Sequence, residues 1–444
     1  MTTTPKLIDL LIEARWIATV DNDKVLKNHA VAIHDGRIIA IEPYAECRQQ
    51  FIATKTVKLE EHILIPGLIN LHTHAAMTLL RGIADDLPLM EWLEKHIWPA
   101  EAAHISEKFV YDGTRLACAE MLRGGITCFN DMYFYPDATA QAAAEIGMRA
   151  VIGIATVEFP TPYASDAEDY LNKGLAAREQ WLQHPLIKFC LAPHAPYTVA
   201  DSTFQRILTL SEQLNLPIHC HIHETKGEID ASTQQHSKTP IQRLNELGVL
   251  GPNFIGVHAV HMNEEDLTLA ANTGLSIAHC PTSNLKLASG IAPVARMQQL
   301  GINIGLGTDS AASNNRLDLF GEMKLASLLA KGSTGDASTL PAHEVLRMAT
   351  LNGAQAIGLA DEIGSITVGK SADLCAVDLS SLETRPCFDP ISHLVNVAGR
   401  ESVSHVWVAG NCCVDHKTLL NFDQNNLEST IALWQNKLEV RREP

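Results

Sequence analysis

The chain of 444 residues has no long hydrophobic run and few basic residues. No stretch approaches the ~20 apolar residues that a membrane-spanning helix needs. The N-terminus has no basic region followed by an apolar stretch and a cleavage site, so we expect no secretory signal. Lys and Arg number 34 against 51 Asp and Glu, a net charge of −17. This acidity argues against a partner that is nucleic acid or membrane, because little cationic surface is left for phosphates.

Cysteine pairs with metal-binding or redox spacing are also missing, although Cys412 and Cys413 are neighbours. The ten cysteines are scattered and none forms a C-x-x-C pair, which predicts reduced thiols in the cytoplasm rather than a disulfide framework. Apolar residues make up 46% and charged residues 19% of the chain. This composition is typical of a globular protein of enzyme size.

Hydrophobic periodicity divides the chain into three segments, 1–65, 66–365 and 366–444. The outer two are predicted to contribute the halves of a small β-sandwich domain. Its predicted strands are Leu7–Ala14, Ala30–His34, Arg37–Ile41, Thr56–Leu59, Asp373–Asp378, Val403–Ala409 and Asn411–Val414. Asp35-Gly36 between two of them is a typical hairpin turn. A terminal helix is predicted from the stripe Leu427, Ile431, Trp434 and Leu438, which would dock on the body or on a second subunit.

The middle segment repeats a short apolar strand, a polar turn and a helical stretch eight times. This pattern predicts an α/β fold, a (β/α)₈ TIM-type barrel. The predicted strands are Leu64–Asn70, Ile126–Asn130, Ala150–Ile154, Ile187–Ala192, Pro217–His221, Phe254–Val257, Ser276–Ala278 and Ile302–Leu306. An open doubly wound sheet is the alternative, which is weakened because no glycine-rich dinucleotide fingerprint follows the first strand.

The strongest chemical signal is a pair of histidines at the end of the first barrel strand. The run from Pro66 to His74 reads PGLINLHTH, so His72 and His74 are two residues apart. In an extended strand both imidazoles then project from the same face. Two neutral imidazoles that converge on one point form half of a divalent-metal site. The alternative interpretation is that His72 and His74 are solvent-facing loop residues that bind no metal.

Later strand ends supply candidate partners for this pair. They are one of His219, His221 and His223 after the fifth strand, then Glu224, His258 and Asp309. A set of three His and one Asp suits Zn²⁺, with Fe²⁺ as a competitor. Such a metal lowers the pKa of its water to about 7. Structural packing is the preferred interpretation for His219, His223, His261 and His279.

In these motifs the sequence resembles the amidohydrolase superfamily, over nearly the whole chain. More narrowly it is similar to the methylthioadenosine/S-adenosylhomocysteine deaminase group. The segments that carry the narrower resemblance are 74–82, Trp92, 99–101, 193–197, 283–286 and 309–315. The resemblance implies a metal-dependent hydrolase with a β-sandwich domain built from both termini.

The resemblance also implies a role for each matched residue. One divalent metal would be held by His72, His74, His221 and Asp309. His258, together with Asp309, would orient or deprotonate the water, while Glu224 would protonate the purine N1 as water attacks C6. Lys188 invites a two-metal interpretation through a carbamylated lysine, but it lies near the start of its strand, so we expect one metal.

The implied substrate contacts are those of a nucleoside. Glu101 would accept hydrogen bonds from the two ribose hydroxyls, and His194 would contact the nucleoside. Trp92 would wall off the thioether end, while Glu224 and Asp309 would contact the purine. The expected reaction converts 5′-methylthioadenosine and water to 5′-methylthioinosine and ammonia.

S-adenosylhomocysteine and adenosine remain open as further substrates. The third strand and the following loop, to Lys173, contain no arginine for a carboxylate tail, which favours methylthioadenosine. The alternatives are another amidohydrolase, such as a guanine-type deaminase or a triazine chlorohydrolase, and a non-catalytic barrel scaffold. Family habit predicts a homo-oligomer, a dimer or a tetramer.

Overall fold

The computed structural model describes residues 5–22, 24–420 and 422–439. The predicted segments 1–65 and 366–444 include residues 1–4, 23, 421 and 440–444, which lie outside the described residues. Within the described part of the chain, none of the helices has the length and apolarity that a bilayer-spanning segment needs.

The described strands form two eight-stranded sheets. In chain order they are β1 Lys6–Ala18, β2 Val25–His34, β3 Arg37–Pro43, β4 Phe51–Pro66, β5 Leu68–Thr73, β6 Ile126–Tyr133, β7 Arg149–Thr156, β8 Ile187–Pro193, β9 Ile218–Ile222, β10 Phe254–His258, β11 Ser276–His279, β12 Asn303–Leu306, β13 Leu374–Asp378, β14 Val403–Val408, β15 Asn411–Asp415 and β16 Thr418–Leu419.

Most helices follow the strands of the second sheet. The α-helices are α1 Tyr44–Gln50, α2 Leu89–Trp92, α3 Trp98–His104, α4 Glu107–Arg123, α5 Pro136–Ile146, α6 Ala167–Trp181, α7 Asp201–Leu214, α8 Lys226–His236, α9 Pro240–Glu246, α10 Glu264–Thr273, α11 Pro281–Lys286, α12 Val294–Gln299, α13 Leu319–Thr334, α14 Ala342–Met348, α15 Leu351–Ala356, α16 Pro390–Asn396 and α17 Gln424–Glu439. Short 3₁₀ segments lie at Ala75–Leu80, Leu382–Thr384 and Arg400–Ser402, and a π segment at Leu93–Ile97.

The second sheet is the predicted barrel. Its strands follow chain order from β5 to β12, and the pairs whose register is defined, such as β7 with β8 and β9 with β10, are parallel. The backbone N–H of Asp309, after β12, donates to His72 O of β5 at 3.0 Å, which brings the first and last strands together at their carboxyl ends. Strands β5, β6 and β7 are buried along their whole length, as expected for parallel strands covered on both faces. The (β/α)₈ prediction is confirmed.

Strands from both ends of the chain form the first sheet, in the order β16-β15-β14-β13-β4-β1-β2-β3. The antiparallel pairing of β13 with β4 joins the C-terminal strands to the N-terminal ones. Asp35 and Gly36 connect β2 and β3 with positive φ values of 49° and 71°, so the predicted hairpin turn is confirmed. This sheet is the second domain that the sequence predicts from both termini.

One strand prediction is wrong at its start. Residues 64–66 were expected to begin the first barrel strand, but they end β4, where Leu64 pairs with Ala376 and Pro66 with Leu374 of β13. The chain changes sheets at Gly67, whose N–H donates to Asp373 O. A Cβ at Gly67 would lie 2.1 Å from Thr127 Oγ1, so this crossing point has room only for glycine.

The described residues fall into two compact units. One contains the described residues of 1–69, 121–128 and 318–421, and the other contains the described residues of 70–120, 129–317 and 422–444. The bounds 1–65, 66–365 and 366–444 stay a prediction. In the second unit α17 covers the predicted helical stripe, and its Trp434 Nε1 donates to Asp112 Oδ2 of α4 at 2.7 Å.

Candidate active site

Four predicted metal ligands come together at the carboxyl ends of β5, β9 and β12. His72 and His74 lie at the end of β5 and directly after it, His221 lies on β9, and Asp309 follows β12. His72 Nε2 lies 3.2 Å from Asp309 Oδ1 and 3.2 Å from His221 Nε2, and His74 Nε2 lies 3.3 Å from the same carboxylate oxygen. The donor atoms of these side chains therefore share one small space, although the residues are far apart in sequence.

Hydrogen bonds on the far side of two rings fix their orientation. His74 Nδ1 lies 2.6 Å from Met132 O, and His221 Nδ1 lies 2.7 Å from His194 O. A carbonyl oxygen only accepts, so each Nδ1 carries a proton, and the neutral form of each ring directs an Nε2 lone pair to the centre. Burial also lowers the pKa of His72 to about 4 and that of His221 well below its ordinary value, which keeps these imidazoles neutral.

The arrangement fits a divalent metal. A cation between His72 Nε2 and His221 Nε2, which face each other at 3.2 Å, would accept a lone pair from each neutral ring. Metal–nitrogen bonds of 2.0–2.1 Å in a tetrahedral site place neighbouring ligand atoms about 3.3 Å apart, which matches the observed distances. Three imidazoles and one carboxylate are donors that first-row divalent cations accept.

The second oxygen of Asp309 is held by two serines. Ser283 Oγ donates to Asp309 Oδ2 at 2.6 Å and Ser313 Oγ donates at 2.9 Å. These bonds leave Oδ1 facing the histidines and fix the carboxylate plane. Asp309 and His258 both have positive φ, 61° and 72°, a costly conformation for residues with a Cβ that is concentrated at functional sites.

His258 and Glu224 form the next layer of the site. Asn284 Oδ1 lies 2.8 Å from His258 Nδ1, and His258 Nε2 lies 3.8 Å from Glu224 Oε2. Burial raises the pKa of Glu224, although the His258 imidazole acts to lower it. A carboxyl group with a raised pKa is suited to hold a proton and deliver it near neutral pH.

The backbone that carries Glu224 is fixed by Glu228 of α8. Glu228 Oε1 accepts from His223 N at 3.1 Å, and Oε2 accepts from Glu224 N at 2.8 Å. Thr225 caps the same helix by accepting from Glu228 N. Sequence reasoning missed Glu228, although Thr225 and Glu228 have the S/T-x-x-E spacing of a helix start.

A cavity of about 390 Å³ opens beside these groups. Its lining includes His74, His221, Glu224, His258 and Asp309 together with Glu101, His194 and Trp92. The rest is mainly apolar and aromatic. No arginine or lysine is among the described residues that line it.

Glu101 reaches this cavity from a helical segment outside the barrel sheet. The segment runs through α2, the π turn Leu93–Ile97 and α3, and π turns often occur at functional sites. Tyr133 Oη donates to Glu101 Oε1 at 2.7 Å, and burial raises the pKa of Glu101 to about 7. Tyr133 was not found from sequence, because it is 32 residues from Glu101 and no local pattern relates the two.

The other histidines have structural contacts. His219 Nε2 lies 3.0 Å from His72 Nδ1, so it supports a ring of the centre from behind. His223 Nδ1 lies 2.9 Å from His261 O, and His261 Nε2 lies 2.8 Å from Ser289 O. Lys188 is exposed on β8, and His279 is buried at the end of β11.

A barrel whose strand ends direct three histidines and an aspartate into a cavity defines the class of metal-dependent barrel hydrolases. Residues 63–413 match the model of the amidohydrolase family. The chain therefore belongs to the amidohydrolase family, and the resemblance inferred from its motifs is confirmed.

Relatives of known name match almost the whole chain. A 5-methylthioadenosine/S-adenosylhomocysteine deaminase of Saccharophagus degradans is 47% identical, with 98% of each chain covered. A 5′-deoxyadenosine deaminase of Methanosarcina acetivorans is 40% identical over 95% of this chain and 96% of its own. The crystal structure of an adenosine deaminase from Xanthomonas campestris with bound zinc has a TM-score of 0.97 and 46% identity, covering 98% of this chain and 100% of that chain.

Removing the hydroxyl of Ser283 is expected to weaken metal binding. Ser283→Ala deletes the shorter of the two bonds to Asp309 Oδ2, and the loss of such an outer partner lowers metal affinity about 10- to 100-fold. Competitive titration with a chelator measures the change. The matched control is Ser327→Ala, whose hydroxyl donates to Leu340 O. Equal affinities in wild type and Ser283→Ala would contradict this role.

Proposed function

We propose that this chain catalyses hydrolytic deamination at C6 of 5′-methylthioadenosine, which yields 5′-methylthioinosine and ammonia. The observation that carries the proposal is that Glu101, held by Tyr133, lines the same cavity as the histidine–aspartate group and Glu224. A carboxylate at that position provides two acceptor oxygens for a vicinal diol. The deaminases of Saccharophagus degradans and Methanosarcina acetivorans support an adenosine-type substrate.

His72, His74, His221 and Asp309 would hold one divalent cation. We propose Zn²⁺, which the related adenosine deaminase structure contains; Fe²⁺ suits the same donors. The bound cation supplies Lewis acidity, which makes water a nucleophile near neutral pH.

The protein side chains move the protons. Glu224 is placed to give a proton to N1 of the purine, so that electron density leaves C6 as water adds there. His258, assisted by Asp309, accepts one proton of the attacking water and passes it to the departing amino group, which leaves as ammonia. The second proton of that water returns to Glu224 as the C6 carbonyl forms. Asn284 fixes the His258 ring for this transfer through the bond at Nδ1.

The remaining lining residues bind and orient the nucleoside. Glu101 accepts from the ribose hydroxyls, while Tyr133 keeps its carboxylate in place. Trp92 is buried in the cavity wall, where an apolar methylthio group loses water without leaving a charge unpaired. His194, also in the lining, contacts the nucleoside.

The alternatives explain less of the cavity. A guanine-type deaminase or triazine chlorohydrolase has a substrate without ribose, so the Glu101–Tyr133 pair would have no diol to bind. A non-catalytic scaffold would have no need of Glu224 beside His258, or of strained backbone at Asp309. The cytoplasmic location and the homo-oligomer stay predictions.

Ammonia release tests the proposal directly. Purified, metal-analysed protein is assayed with methylthioadenosine, S-adenosylhomocysteine, adenosine and guanine, and we expect the highest kcat/KM for methylthioadenosine. Glu224→Gln keeps the shape but removes the proton, so kcat should fall about 10²- to 10⁴-fold with metal content unchanged. Turnover of guanine alone, or full activity of Glu224→Gln, would refute the assignment.

Glu101 should act on the nucleoside rather than on the metal. In Glu101→Gln the acceptor loses its charge, and kcat/KM for methylthioadenosine should fall about 10- to 100-fold, because hydrogen bonds to a charged group contribute roughly 1.5–3 kcal/mol. Glu94→Gln, at an exposed position of the same helical segment, is the control. A 2′,3′-dideoxy substrate should be turned over equally by wild type and Glu101→Gln. If the variant instead loses metal, Glu101 belongs to the metal site.

The lack of a cationic side chain in the described cavity lining predicts a preference for methylthioadenosine over S-adenosylhomocysteine. With no arginine or lysine in the described lining, the carboxylate of S-adenosylhomocysteine would enter an apolar site without a partner. An unpaired polar group of this kind costs about 1–3 kcal/mol or more, so kcat/KM should favour methylthioadenosine by at least about tenfold. Steady-state kinetics of the two substrates at one pH decide the matter. Equal or reversed values would overturn this preference.

A further inference from the structure

A second group of metal-ligating side chains lies in the sheet that both termini form. His405 is on β14, Asp415 ends β15, and His416 is the first residue of the turn to β16. One ligand atom from each of the three lies within 4.8 Å of the others. The proposed deaminase reaction makes no use of these residues, so a ligand bound to them would be independent of that reaction.

One oxygen of Asp415 faces both imidazoles. His405 Nε2 lies 3.1 Å from Asp415 Oδ1, and His416 Nε2 lies 3.8 Å from the same atom. The other oxygen, Oδ2, faces Lys55 Nζ at 3.5 Å. The carboxylate thus divides its two oxygens between a cationic side chain and a pair of histidines.

The two histidines are held beside each other by their surroundings. His405 is buried, and its Nδ1 lies 2.9 Å from Ser404 Oγ, which turns Nε2 to Asp415. Lys417 N donates to Ser404 O at 2.9 Å, which fastens the turn with His416 to β14. The ring centroids of His405 and His416 are 4.6 Å apart.

A third imidazole flanks this group. The ring centroid of His62, on β4, is 6.3 Å from that of His405, and its Nδ1 is buried without a hydrogen-bond partner among the described residues. The ligand atoms that come within 4.8 Å of one another are those of His405, Asp415 and His416, so His62 is a neighbour of the group rather than a member.

We propose that His405, Asp415 and His416 form a second divalent transition-metal site. Imidazoles with a carboxylate suit Zn²⁺, Cu²⁺ or Ni²⁺, whereas Mg²⁺ and Ca²⁺ prefer oxygen ligands. The bound ion links β14, β15 and the turn to β16. It would therefore stabilise the C-terminal edge of this sheet against local opening.

The same sheet offers a comparison group that is built differently. Asp9, His34 and Asp35 also lie close together, but Asp9 Oδ2 accepts the backbone N–H of Asp35 at 2.7 Å and is occupied in holding the turn. His34 therefore provides a matched control, a histidine beside a carboxylate outside the proposed site.

Calorimetric titration with Zn²⁺ tests the site in the full chain that already carries one equivalent of active-site metal. Wild type should take up a second equivalent. His416→Ala and Asp415→Asn should bind it at least about 10- to 100-fold more weakly, since even outer partners of ligands have effects of that size. The side chain of His416 is 86% exposed, so its removal should leave folding and ammonia release unchanged.

His34→Ala should keep the second equivalent. Uptake of one equivalent by wild type, a second equivalent that persists in His416→Ala, or its loss in His34→Ala would each overturn the proposal. The thermal midpoint gives a second readout: Zn²⁺ should raise it in wild type and in His34→Ala, but not in His416→Ala.

Discussion

Three imidazole lone pairs and one carboxylate oxygen converge where the barrel strands end, and the rest of the site depends on this convergence. His72 Nε2 and His221 Nε2 lie 3.2 Å apart, the spacing of two ligand atoms on one tetrahedral cation. The donors come from three strands or from the residues that follow them, so only a closed barrel brings them together. The closed barrel is therefore required for the four donor atoms to meet.

The histidines and the aspartate of the centre are held in place by residues that contact their outer sides. Carbonyl oxygens of Met132 and His194 fix two rings, and two serines fix the carboxylate of Asp309. Because these partners direct the donors before any ion arrives, little ordering remains to oppose binding. The positive φ of Asp309 and His258 shows that the backbone accepts strain to place the groups.

Periodicity predicted the barrel, and spacing predicted the His72–His74 pair, since strands alternate and parallel strand ends meet at one edge. The choice of His221 from its neighbours came from the family resemblance. The error at residues 64–66 arose because an apolar run does not reveal where a strand changes sheets, which here happens at Gly67. Tyr133 and Ser283 were given no role, because their contacts join residues far apart in sequence. Glu228 could have been found from the sequence, because its spacing from Thr225 marks a helix start.

The two halves of the site have different origins in the chain. The proposed metal ligands and proton-transfer groups lie on barrel strands or directly after them, where the sheet limits their movement. Glu101 and Trp92 lie on the segment with a π turn, outside the sheet. A substitution in that segment can change which molecule is bound without disturbing the metal ligands, because the two sets share a cavity but no strand. Such separation allows one reaction centre to serve different substrates, so in this chain Glu101, Tyr133 and the uncharged wall would determine which substrate is bound.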